Sequence, residues 1–120
     1  MKREDVWGSW DPPAPGFLVK AGNFLFLAMG AQGNTVEEAA EGFWPAVKEK
    51  LEKAGTSTGN IVQMTNFLVN MDDAAKVGAV RAKFLPQDRN YASVGVEISR
   101  LYKMDPPLQF EMQIVAIIPD

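Results

Sequence analysis

One carboxylate interrupts an apolar stretch near the end of this 120-residue chain: Glu111, in LQFEMQIVAIIPD, residues 108–120. Strand periodicity puts Gln109, Glu111 and Gln113 on one side and Phe110, Met112 and Ile114 on the other. On a wet sheet face, Glu111 is an ordinary solvated residue. In a cleft, burial would raise its pKa toward the range of a useful general base. It could then orient or deprotonate a water, or move a proton on a bound carbonyl or imine. The chain has no cysteine and no histidine. This removes thiol nucleophiles, serine–histidine and cysteine–histidine catalysis, and the commonest zinc ligand. Acid–base work is left to carboxylates, to Tyr91 or Tyr102, to a lysine, or to bound water. Asp72-Asp73 reads as a helix cap, because a magnesium site needs more converging carboxylates. The stretch from Gly30 to Gly33 lacks the repeat and the lysine of a phosphate loop. No cofactor is expected.

Twelve lysines and arginines face 15 aspartates and glutamates, for a net charge of −3 and a pI near 4.9. A weakly acidic protein offers no electrostatic footprint for a phosphate backbone, and no basic amphipathic helix is present. Neither nucleic acid nor a membrane is expected as a partner. The longest apolar run, FLFLAMGA (24–31), is too short to cross a bilayer. The opening MKREDVWGSW lacks the apolar segment of a secretory signal, so a cytoplasmic location is expected. The length and the 47% apolar content fit one globular domain over residues 1–120.

The elements that must position Glu111 can be read along the chain. Residues 1–14 read as an irregular lead-in, with Pro12, Pro13 and then Pro15-Gly16 as breakers. FLVK (17–20) and NFLFLAM (23–29) form a hairpin around Ala21-Gly22. Thr35 followed by Glu38 is a capping box. Val36, Ala40, Phe43, Val47, Leu51 and Ala54 then mark a helix face that stops at Gly55, with a kink expected near Pro45. NIVQMTNFLVN (60–70) is apolar on both faces, as a central strand is. A second helix opens at Asp72-Asp73, carries Ala74, Val77, Val80, Arg81 and Phe84 on one side, and ends at Pro86. YASVGVEISR (91–100) and the final stretch are the last strands. The order β-β-α-β-α-β-β implies an α+β domain, a single sheet with both helices packed on one face. The other face then needs a cover, and another copy of the chain is the natural one.

This order, with its local signatures, resembles the Rid (YjgF) family of chorismate-mutase-like domains over about residues 12–118. AGNFLFLAMGAQG is similar to the family's strand ending in a Ser-Gly-Gln step. The capped helix, its Ala-Gly stop and the strand that follows resemble TVEEAAEGFWPAVKEKLEKAGTSTGNIVQMTNFLVN here. EMQIVAI resembles the family's Glu-x-Glu-Ala-x-Ala strand.

The resemblance implies a homotrimer with small-molecule clefts between subunits. In the deaminase branch these clefts hydrolyse 2-imino and enamine acids. There an arginine clamps the substrate carboxylate and a glutamate positions the attacking water. Glu111 falls on that glutamate and Gln113 on the second acidic position. Phe17 falls near an early tyrosine, Met29 on the serine, and Gly78 and Arg81 on pocket-side positions of the second helix. The arginine position falls on Tyr91 or, one residue on, Ala92. The expected cleft is therefore Glu111 as acid–base or water-positioning residue, with Tyr91, Ser93, Arg89, Phe17, Met29 and Gln113 around the ligand. Arg89, or Arg81, is the guanidinium available to replace the missing clamp, since a bidentate fork suits a carboxylate. The expected activity is on a small imine, enamine or carbonyl metabolite other than a standard 2-imino acid. The alternative is a non-catalytic trimeric module that binds a small molecule or a partner.

Overall fold

The computed structural model describes residues 2–120. Its elements are strand β1 (Arg3–Ser9), β2 (Gly16–Ala21), β3 (Phe24–Gln32), helix α1 (Val36–Lys53), β4 (Ile61–Leu68), α2 (Ala74–Arg81), β5 (Ala92–Glu97) and β6 (Leu108–Ile117). The strands form a single sheet in the order β1-β2-β3-β6-β4-β5. All pairs are antiparallel except β4–β5, which is parallel and is connected through α2. The expected β-β-α-β-α-β-β order is present, with β1 added in front.

That first strand corrects the expectation of an irregular lead-in. Residues 3–9 pair with β2 across a one-residue shift near Val6. Trp7 lies under the ammonium of Lys50 on α1, 4.6 Å from the ring centroid. The prolines follow the strand and end it rather than prevent it. Near its ends they remove backbone donors, but Arg3–Ser9 itself contains none.

Helix α1 follows its sequence signals closely. The Thr35 hydroxyl accepts the Glu38 N–H at 3.1 Å, satisfying one orphan donor of the first turn. At the other end, the Gly55 N–H bonds to Glu52 O and the Thr56 N–H to Leu51 O. This double closure needs a left-handed residue, and Gly55 supplies it with a φ of 94°. The helix runs through Pro45 without a break. Pro45 and Glu41 both face solvent, so the carbonyl that loses its partner is on the open side of the helix rather than in the core. Helix α2 is shorter than expected. It stops at Arg81, and a tight turn carries the chain through Phe84 toward Pro86. Asn70, not the aspartate pair, caps this region by accepting the Asp72 N–H at 3.0 Å.

Both helices cover one face of the sheet. Phe43 and Trp44 of α1 are fully buried, and the Phe43 ring meets Phe110 of β6 edge-on at 5.1 Å. Phe110, Met112 and Ile114 all point into this core. The opposite face keeps Phe17, Phe24, Phe26 and Val94 exposed. No helix among the described residues is long and apolar enough to cross a membrane.

Replacing Gly55 with alanine forces an L-residue into the left-handed region, which costs about 1 kcal/mol. The denaturant midpoint should fall accordingly with an unchanged slope. An unchanged midpoint would mean that the α1 terminus relaxes into another closure.

Candidate functional site

Glu111 lies in the middle of β6, and β6 lies in the middle of the sheet. Its cross-strand partners are Gly30 on β3 and Phe67 on β4. Two residues on, Gln113 is opposite Ala28 and Thr65. Period-2 alternation therefore turns Glu111 and Gln113 to the face the helices leave open. Small residues on β3 leave space above them. A Cβ at Gly30 would meet Leu108 Cδ2 at 2.6 Å and Glu111 Cγ at 3.6 Å, so glycine is what lets both side chains settle there.

The space is a cavity of about 400 Å³. Trp10 and Phe17 stand at one wall, with ring centroids 5.5 Å apart and planes at 79°. Phe67, Ile98, Tyr102, Met104 and Leu108 contribute the other apolar surfaces. Glu111 and Gln113 are its polar side chains on the sheet, and Tyr102 brings a phenol hydroxyl at the exposed edge. Glu111 is half-buried, and this burial raises its carboxyl pKa from the ordinary value. A desolvated carboxylate in an apolar cleft suits a general base or water-positioning group, because its proton affinity is brought closer to neutral pH.

Three of the residues expected around Glu111 are beside it. Phe17 forms part of the wall, Gln113 shares its face, and Met29 borders the cavity while its side chain stays buried. Within one chain, Tyr91, Ser93 and Arg89 are not brought to this cavity. The parallel register pairs Ala92 with Gln63 and Ser93 with Met64. Since Met64 is buried under the helices, Ser93 belongs to the helix-side row of β5. Tyr91 packs toward the core, with the Arg81 guanidinium 5.7 Å from its ring centroid. Arg81 is thus engaged on the helix side. Arg89 donates to Gly59 O at 2.9 Å and borders a separate polar hollow with Ser57, Asn60 and Lys83. Residue type alone does not single out Trp10, Phe67, Ile98 and Met104 as site residues, and it names Tyr102 only as one of the groups available for acid–base work. Trp10, Tyr102 and Met104 sit in loops that converge only in the fold. Among the described residues, no cluster of carboxylates able to hold a metal ion occurs.

An α+β domain with this single mixed sheet, two helices on one face and a carboxylate on the other defines the class of protein. Residues 16–118 match the family described as Endoribonuclease L-PSP. A RutC family protein of Pyrococcus horikoshii is 33% identical over 95 residues, covering 71% of this chain and 74% of its own. A RutC family protein of Pyrococcus abyssi is 30% identical over 108 residues, covering 82% and 81%. In fold, a YjgF family member from Neisseria meningitidis superposes with a TM-score of 0.80 at 23% identity, over 100% of this chain and 98% of that one. The Rid family protein YyfA of Yersinia pestis superposes with a TM-score of 0.82 at 18% identity, over 98% and 100%. The chain belongs to the Rid (YjgF) family, whose members often deaminate enamines and imines.

The raised pKa of Glu111 has a stability consequence of definite sign. The folded state holds this proton more tightly than the unfolded chain, so stability is lost as pH rises through the folded-state pKa. Glu111→Gln keeps the shape and removes the charge. The variant should therefore melt at a higher temperature than wild type at neutral pH, and the gap should close below the ordinary carboxylate pKa. A variant less stable than wild type at neutral pH would show that a cation or donor pairs with Glu111 in the assembled protein.

Proposed function

We propose that the chain hydrolyses a small imine or enamine in the Glu111 cavity, within a homotrimer whose neighbouring copies complete the cleft. The observation that supports this reading most is the half-buried carboxylate, raised in pKa by burial, facing an apolar cavity of small-ligand size. In this reading Glu111 takes a proton from a water as the water oxygen adds to the imine carbon. The proton passes to nitrogen; Glu111 then takes the proton of the new hydroxyl and relays it to nitrogen as the carbon–nitrogen bond breaks, so ammonia leaves and a carbonyl remains. An enamine joins the same path after protonated Glu111 delivers a proton to its β-carbon. In the same reading the Gln113 amide, one strand step away on the same face, holds the water or the product carbonyl. Ala28 and Gly30 keep the floor of the cavity open for the reacting atoms. The exposed apolar face carrying Phe17, Phe24 and Phe26 supports the trimer, because a patch of this kind is normally covered. An RNA-cleaving role suits the cavity poorly, since among the described residues its one charged side chain is a carboxylate that repels phosphate.

Imines of several amino acids and amines, generated in place by an oxidase, should disappear faster with wild type than without protein. Glu111→Gln should remove about 100-fold or more of that acceleration, the usual range for a positioned acid–base group. Equal rates for wild type and variant would overturn the role of Glu111. The absence of acceleration for every imine would favour a non-catalytic small-molecule-binding module on the same fold. Sedimentation equilibrium should give three times the chain mass of 13.2 kDa, and a monomer would remove the shared cleft.

A further inference from the structure

The chemistry of the cavity lining narrows the ligand further, on the basis of the hydrolase reading above. We infer that the Glu111 cavity selects cationic ligands without a carboxylate: iminium ions derived from primary amines that bear an apolar or aromatic substituent.

The charge pattern comes first. Among the described residues of one chain, no lysine or arginine lines the cavity, and its single charged side chain is Glu111. Within one chain, Arg81 lies against Tyr91 and Arg89 on the Gly59 carbonyl, both away from Glu111. A ligand carboxylate placed here would sit beside a second negative charge in partly desolvated surroundings. Such like-charge pairs are disfavoured by several-fold more than in water. A protonated imine, in contrast, brings the one charge that Glu111 lacks a partner for.

The aromatic groups point the same way. Trp10, Phe17, Phe67 and Tyr102 all face the cavity. Trp10 and Tyr102 remain 65% and 77% exposed at its edge, where an entering ligand meets them first. Aromatic faces around a carboxylate are the chemistry that recognises ammonium-type cations, and tryptophan contributes most strongly. The apolar substituent of the ligand would then rest against Ile98 and Leu108.

The assembled wild-type protein should be titrated calorimetrically with three probes of similar shape: benzyltrimethylammonium, benzyl alcohol and phenylacetate. The cation should bind at least about tenfold more tightly than phenylacetate. Glu111→Gln should abolish that preference, and Trp10→Ala, an exposed position, should weaken the cation several-fold without changing the assembly. Phenylacetate binding as tightly as the cation, or better, would overturn the inference, for instance if a neighbouring copy delivers a guanidinium. Turnover separates this inference from the hydrolase reading. The imine of benzylamine, formed by an amine oxidase, should be hydrolysed faster than the 2-imino acid formed from phenylalanine. Preference for the cation with no turnover of either imine would sustain the ligand class and remove the hydrolase. Turnover of the 2-imino acid with no preference for the cation would do the reverse.

Discussion

The position of Glu111 depends on β6 being gripped from both sides. Antiparallel pairing to β3 and β4 fixes which row of β6 enters the core, and period-2 geometry turns every other residue outward. A slip of one residue would drive Glu111 under Phe43 and leave an unpaired carboxylate in the core, a prohibitive exchange for Phe110. Side-chain and backbone bonds fasten both ends of the strand. Gln32 Nε2 donates to Pro106 O and Gln109 Nε2 to Gly33 O, each at 2.8 Å, and the Thr56 hydroxyl donates to Ile117 O at 2.6 Å. The strand that carries the carboxylate is therefore among the most constrained parts of the molecule.

Around this rigid strand the site is made by what is missing. Glycine and alanine on β3 face Glu111 and Gln113, so the sheet surface dips at the one place where a carboxylate stands. The walls come from separate regions: Trp10 after β1, Phe17 on β2, Tyr102 and Met104 in the loop before β6. A partly desolvated carboxylate is a local loss of stability, and such losses concentrate where a protein binds or reacts. The core on the other face, with Phe43, Trp44 and Phe110 interlocked, offsets it.

Much of the fold was legible because its signals are local. Thr35 and Gly55 bracket α1, and alternation around Phe110 and Met112 separates the faces of β6. The strand at Arg3–Ser9 escaped because Val6 and Trp7 are adjacent rather than alternating, and the prolines after them dominated the reading. Glu111 itself was legible as an acid in an apolar strand. Within one chain the β4–β5 register, a pairing between residues about thirty apart, puts Ser93 in the helix-side row, and the cleft between subunits that the resemblance implies for Tyr91 and Ser93 needs a second copy of the chain. Trp10 and Tyr102 carried no periodic signal at all, since loops have none.

The sheet order also bears on how this protein is made. β6 is synthesised last of the strands, yet it sits third from the β5 edge, inserted between β3 and β4. Until it emerges from the ribosome, β3 and β4 each have an open edge and no backbone pairing that joins them. The Phe24–Ile117 pairing joins segments from opposite ends of the chain, a closure that slows folding. The nascent chain is thus two half-sheets waiting for a wedge, and the wedge carries Glu111. The cavity above Glu111 cannot exist before the scaffold is whole.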